Sequence, residues 1–186
     1  MELFVEALED CRVTRLFAVT SLVRNILSFV SMESKKKLSK VPRLSEVYQW
    51  ECSAETVTPD LVRQFFELYG HGKSTLCNFY GSTEMMDVTF ATFSSLNDLE
   101  GKLDSFGKVP IGEPIINSAA YVLDDSMQLV GQGEIGHLYV SSPNLCDGYV
   151  GTKASTFLPN MVSRLSNFLL ADLSTFLKKE TVRGLF

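Results

Sequence analysis

Between Gly70 and Glu84 the chain reads GHGKSTLCNFYGSTE, which contains two groups of residues able to grip a phosphate. Gly72-Lys73-Ser74-Thr75 offers glycine backbone, an ammonium and two hydroxyls. Asn78-Phe79-Tyr80-Gly81-Ser82-Thr83-Glu84 offers an amide, flat aromatic faces, a glycine, two hydroxyls and a carboxylate. Only the elements on either side can decide between them.

A phosphate-cradling loop of the G-x-x-x-x-G-K-[ST] type wraps anionic oxygens with backbone amides while the lysine and hydroxyl meet the outer phosphates and magnesium. Counting five residues back from Gly72 reaches Glu67, a carboxylate that repels the anion. Such a loop also follows a strand and opens a helix. Here the pattern predicts a helix over Thr58–Tyr69 before the loop and a strand over Leu76–Tyr80 after it. Gly70 and Gly72 therefore read as a helix C-cap and turn, with Lys73 near the negative helix end.

The second group stands where a strand ends at the edge of an expected parallel sheet, the usual ligand edge of α/β folds. Tyr80 can stack on a base and Asn78 can both donate and accept. Gly81 permits close backbone approach. Thr83 can donate to a phosphate oxygen, and Glu84 can hold Mg²⁺, a hard cation that favours carboxylate oxygens. A plain strand-to-loop turn has the same residue types.

Further elements follow from periodicity. Val5 to Leu8 begin an amphipathic helix, and Thr14–Val19 reads as a buried strand. Thr20 then caps a helix whose apolar positions Val23, Ile26, Leu27 and Val30 follow the 3.6 repeat. Leu44–Cys52 reads as the next strand. Thr58, Pro59 and Asp60 supply an N-cap, a first-position proline and a first-turn acid for a helix with Leu61, Phe65, Leu68 and Tyr69 on its apolar face. This alternation predicts an α/β fold with a parallel sheet flanked by helices. After Gly107, glycines and prolines separate the short apolar runs Ala119–Leu123, Met127–Val130 and Ile135–Val140, with a hairpin turn at Asp124-Asp125-Ser126. That half predicts a small antiparallel, barrel-like β subdomain. The expected division is 1–106, 107–160 and a divergent tail, 161–186, whose apolar residues fit neither period.

Composition removes several function classes. The 186 residues carry 17 basic and 22 acidic side chains, a formal net charge of −5, which argues against binding a nucleic-acid backbone. The single basic run, Lys35-Lys36-Lys37, reads as a solvated face after a helix. Cysteines 11, 52, 77 and 146 form no C-x-x-C pair and His71 and His137 are isolated, so no metal cluster or disulfide framework is expected. Reduced thiols and acids within the apolar N-terminal stretch predict a cytoplasmic protein without a membrane segment.

With those readings in place, the string NFYGSTE resembles the Y-G-x-T-E signature of acyl-adenylate-forming enzymes, the AMP-binding superfamily of nonribosomal-peptide adenylation domains and acyl-CoA synthetases. Gly107–Pro114, then Gly133–Val140 and Gly148-Tyr149, resemble the family's G-x-P-I-G-x-P and G-E-[LI]-x-[LIV]-x-G-x-x-x-x-G-Y segments in the same order. Amino-acid adenylation domains, including those activating β-alanine, are the most similar. The resemblance implies ATP or AMP and Mg²⁺ as ligands, with Asn78 at the adenine edge, Tyr80 stacked on the base, Thr83 at the α-phosphate and Glu84 on the metal. Phe79, Gly81 and Ser82 complete that strand end. It also implies that Ser53, Ala54 and Glu55, in the place of a G-G-E strand end, flank adenine, although Ala54 departs from glycine. In the tail, Asp172 and Leu173 match the end of Y-R-T-G-D-L, implying a ribose contact for Asp172.

By the same resemblance a small carboxylic or amino acid is activated as its acyl adenylate and passed to a carrier-protein phosphopantetheine or CoA thiol. Cys52, Phe79, Asp87 and Val88 are the expected substrate pocket, with Asp87 facing a substrate ammonium or standing as a surface acid. The chain contains no T-S-G-S-T-G-x-P-K-G loop for the outer phosphates and stops at Phe186 without the family's hinge and C-terminal domain. It thus reads as an internal fragment of an adenylating enzyme, expected to be inactive alone, or as a non-catalytic interaction module with the same fold.

Overall fold

The computed structural model describes residues 1–37, 43–70, 73–103, 107–146, 157–158 and 177–183. Helices α1 (Glu2–Asp10), α2 (Thr20–Lys37), α3 (Pro59–Tyr69) and α4 (Leu96–Lys102) alternate with strands β1 (Arg15–Val19), β2 (Gln49–Ser53), β3 (Thr75–Ser82) and β4 (Met86–Phe93). Strands β5 (Glu113–Pro114), β6 (Ala119–Leu123), β7 (Ile135–Ser141), β8 (Phe157–Leu158) and β9 (Leu177–Arg183) follow. The first sheet has the order β1-β2-β3-β4-β5 and the second β6-β7-β9-β8. The expected parallel sheet with flanking helices is present: β1 pairs parallel with β2, and β2 with β3. β4 and β5 are antiparallel, so the sheet is mixed.

The chain forms two compact units, residues 1–79 with 91–111 and residues 80–90 with 112–186. They interleave along the sequence, and strands β3 and β4 each pass from one to the other.

In the first unit, Val23, Ile26, Leu27 and Val30 of α2 are fully buried, as the 3.6 repeat requires. Trp50 lies between them and α3, with its ring centroid 5.7 Å from Phe65 and 5.3 Å from Tyr69. Its indole N–H donates to the Val47 carbonyl at 3.0 Å, which satisfies the one polar atom this large side chain brings into the core. Thr58 caps α3 by accepting from the Leu61 amide, and Pro59 takes the first turn, where its missing N–H leaves no bond unmade.

Strand β2 begins at Gln49, five residues after Leu44. Leu44 has φ +60°, and its carbonyl accepts from the Val47 amide in a turn that precludes ladder bonds over Leu44–Val47.

In the second unit β6, β7 and β9 are antiparallel neighbours, with Tyr121 opposite Tyr139 and His137 opposite Thr181. The Asp124 turn forms as its residues dictate, the Asp124 carboxylate accepting from the Ser126 and Gln128 amides. Strand β9 comes from the tail that showed no period, and the six-pair ladder along β7 supplies the order its own sequence lacks.

Candidate functional site

The parallel register aligns the carboxyl ends of the strands in the first unit. Val19 pairs with Ser53 and Cys52 pairs with Asn78, so Ser53-Ala54-Glu55 leaves β2 beside Asn78 on β3. These are the residues expected to meet an adenine ring, and they converge on the edge where α/β sheets bind ligands.

Each has a definite local partner. Asn78 is 7% exposed, and its side-chain Nδ2 donates to the Pro110 carbonyl at 2.8 Å. Phe79 is half-buried and meets Phe17 edge-on, at a centroid distance of 6.1 Å. Ala54 has φ +68°, a left-handed conformation that the glycine of a G-G-E strand end adopts without strain.

Glu55 turns to the start of α2. Its carboxylate accepts from the Ser21 amide at 2.6 Å and from the Ser21 hydroxyl at 3.0 Å, while its carbonyl accepts from the Thr20 hydroxyl at 2.9 Å. An anion there satisfies an otherwise orphaned amide at the positive end of the helix dipole. Thr20 was read as the N-cap by its own side chain; instead its hydroxyl donates outward, and the capping oxygen comes from Glu55. Sequence distance hides this exchange, because the two segments are 34 residues apart.

In the second unit, Tyr80 to Glu84 form the end of β3 and the tip of the β3–β4 hairpin. A Cβ on Gly81 would lie 1.9 Å from the Met86 carbonyl oxygen, so the close approach this glycine permits is already made by the opposing strand. The Ser82 hydroxyl donates to the Glu84 carboxylate at 2.6 Å, and the Glu84 carbonyl accepts from the Cys146 amide at 2.8 Å. Thr83 is exposed, Asp87 half-buried and Val88 fully buried.

The Tyr80 hydroxyl is the sole buried side-chain polar atom with no hydrogen-bond partner among the described residues. Leaving such a donor unpaired costs about 1–3 kcal/mol.

Cys52 is fully buried in the first-unit core, and burial, reinforced by Cys77, pushes its thiol up to about 12. It is an inert packing residue at neutral pH. Among the described residues no group of three or more His, Cys, Asp or Glu forms a metal cage. A single carboxylate beside hydroxyls suits Mg²⁺, which keeps most of its waters and takes its remaining ligands from substrate phosphates. Asp172 and the Gly148-Tyr149 pair lie outside the described residues.

Residues 1–150 match the model of the AMP-binding enzyme family. The chain belongs to this family. It is 37% identical over 158 residues to the beta-alanyl-bioamine nonribosomal peptide synthetase ebony of Drosophila melanogaster, covering 84% of this chain and 17% of that protein. The chain therefore spans about a sixth of that curated relative's length. Among solved structures, the N-terminal subdomain of Klebsiella oxytoca NpsA in complex with 3-hydroxybenzoyl-AMSN is similar at a TM-score of 0.71 and 21% identity, over 96% of this chain and 40% of that one. An artificially fused adenylation-PCP di-domain, NpsA-ThdA, also from Klebsiella oxytoca, gives a TM-score of 0.71 and 20% identity, over 97% and 29%. These likenesses establish the fold as that of the N-terminal subdomain of adenylation domains. Two of the motifs that carry the family signature, around Asn78 and around Pro110, are also the two joined by the Asn78 bond.

Proposed function

We propose that this chain supplies the adenine-nucleotide grip of an enzyme that activates a small carboxylic or amino acid as its acyl adenylate. The observation that carries the reading is the parallel register that sets the Ser53-Ala54-Glu55 strand end beside Asn78 at the carboxyl edge of the sheet. Asn78 meets the edge of the base, with Ser53, Ala54 and Phe79 beside it and Tyr80 stacked against its face. Gly81 holds the hairpin closed, while Ser82 and Thr83 hold the α-phosphate by their hydroxyls. Glu84 holds Mg²⁺, which when bound neutralises phosphate charge. Glu55 acts at one remove, by fixing the turn that carries Ser53 and Ala54. Asp172 is assigned the ribose hydroxyls by its match to the family motif alone.

For the acid substrate, the half-buried Asp87 is the proposed contact, opposite an ammonium group, while Cys52 and Val88 are each fully buried and pack within their own units. A β-amino acid such as β-alanine suits an acid so placed, and the ebony likeness supports that choice. The acceptor is the phosphopantetheine thiol of a carrier protein or CoA, supported by the adenylation-PCP neighbour. Nucleic acid and membrane are not proposed as partners, in keeping with the net charge of −5 and with the absence, among the described residues, of a helix long and apolar enough to cross a membrane. The four unpaired cysteines support a cytoplasmic setting.

Calorimetric titration of the 186-residue chain with AMP, and with ATP and Mg²⁺, tests the nucleotide assignment. Tyr80→Ala is expected to weaken AMP binding about tenfold or more, since base–aromatic stacking contributes about 1–3 kcal/mol. Unchanged affinity in that variant would overturn it.

A further inference from the structure

A cavity of about 500 Å³ opens in the first unit, lined by Leu8, Glu9, Arg12 and Val13 from the end of α1 and by residues 43–47 ahead of β2. Val13 stands two residues before β1 and Val47 two before β2. The cavity therefore lies at the amino ends of these parallel strands, opposite the edge that carries Ser53 and Asn78. Its volume is that of a small-molecule site.

Helix α1 closes with a pair of bonds, the Val13 amide donating to the Leu8 carbonyl at 3.0 Å and the Arg12 amide to the Glu9 carbonyl at 2.9 Å. A helix that ends this way puts the residue after its C-cap in the left-handed region, where glycine is the usual occupant. Here Arg12 holds that position at φ +49°. A left-handed arginine is strained, and glycine would end the helix at less cost. The Glu9 carboxylate beside the helix end already accepts from Arg43, through Nε and Nη2, and from the Leu44 amide. The Arg12 guanidinium makes no hydrogen bond or ion pair among the described residues, and neither does the Glu46 carboxylate, although both line the same cavity. Once Arg43 and Glu9 have paired, one free charge of each sign remains. Leu8, Val13, Leu44 and Val47 supply the apolar wall. A ligand of one sign would meet a like charge at Arg12 or at Glu46, whereas a zwitterion with an apolar body matches both charges and the wall.

We propose that this cavity binds a free amino acid with an aliphatic side chain, its carboxylate on Arg12, its ammonium on Glu46 and its side chain against the apolar wall. It is a second small-molecule site, at the opposite end of the strands from the nucleotide edge, and it does not depend on the nucleotide reading. The strain at Arg12 is the cost of placing a guanidinium where helix closure alone favours glycine.

Titration of the full chain with leucine, followed by backbone-amide NMR, reads both affinity and place. Shifts are expected at Arg12, Val13, Ser45 and Glu46, and not at Asn78 or Asp87. N-acetylleucine lacks the ammonium and leucinamide lacks the carboxylate, so each is expected to bind about tenfold or more weakly than leucine, having lost one charge-assisted bond. Glu46→Gln is expected to weaken leucine without weakening N-acetylleucine. Arg12→Gly is expected to raise the thermal midpoint by a few degrees while weakening leucine about tenfold or more. A purely structural arginine would not give those opposite signs. Absence of leucine binding, shifts confined to the carboxyl edge, or N-acetylleucine or leucinamide binding as tightly as leucine overturns the inference, as does an Arg12→Gly variant that binds leucine unchanged. Each of these outcomes leaves the nucleotide reading standing, because AMP titration reports on the other edge.

Discussion

Gly81 and Met86 stand so close across the β3–β4 hairpin that a Cβ on Gly81 would meet the Met86 carbonyl oxygen at 1.9 Å and the Asp87 Cα at 2.7 Å. Both obstacles are backbone, so no rotamer change relieves them. Overpacking of this kind costs about 1–3 kcal/mol or more. Gly81→Ala is therefore expected to lower the urea midpoint with an unchanged m-value, whether or not nucleotide is present. A variant as stable as the parent would show that the hairpin opens freely.

At the end of β2, Ala54 is held at φ +68° between a buried Ser53 and a Glu55 tied to the start of α2 by three hydrogen bonds. A left-handed alanine costs about 1 kcal/mol, and glycine removes that cost. Ala54→Gly is expected to raise the unfolding free energy by somewhat under 1 kcal/mol, because glycine also loses more freedom on folding. Glu55→Ala is expected to lower it by about 1 kcal/mol, the usual effect of removing a helix cap. Denaturant unfolding of the two variants checks opposite signs at adjacent positions.

These two turns also mark where the sequence stops being legible. The start of α3 could be read from Thr58-Pro59-Asp60, because a cap acts within four residues. The false phosphate loop was rejected from Glu67 and from local order, and α3, the Gly70 C-cap and β3 follow in that order. The cap on α2 was assigned to Thr20 because only neighbouring residues were in view, and the oxygen that serves it belongs to Glu55. Asn78 was read as a base contact from its motif. Its Pro110 partner, which fixes which end of the amide faces outward, is a tertiary fact. Strand β9, LKKETVR, has no apolar alternation to announce it and takes its order from pairing with β7.

Thiol chemistry offers a check on burial. Cys11 is exposed and Cys146 half-buried, whereas Cys52 and Cys77 are buried. Burial pushes both interior thiols upward, Cys52 to about 12, and the Thr92 hydroxyl offsets part of the rise at Cys77. The thiolate is the reactive form, so at pH 8 iodoacetamide is expected to label Cys11 quickly and Cys146 more slowly. Cys52 and Cys77 should be labelled only after unfolding in urea. Mass spectrometry of tryptic peptides distinguishes the four sites, and rapid native labelling of Cys52 would contradict a closed core.

Among the described residues strand β1 is terminal in its sheet, and its outward side chains alternate with the buried Leu16 and Ala18. Two of them are apolar, Phe17 at 58% exposure and Val19 at 43%. A strand with a free edge and an apolar outer face is a template for pairing with another chain, and natural sheets suppress such pairing with charge. Arg15 supplies one charge on this face, too far toward the start of the strand to guard its end. The parent chain is expected to show concentration-dependent self-association in light scattering, and Phe17→Lys with Val19→Lys is expected to raise the onset concentration severalfold. Both positions are exposed, and Phe17 gives up only its edge contact with Phe79, so the change in thermal midpoint should stay within a few degrees. A parent chain that remains monodisperse at the same concentrations would mean that this edge is protected.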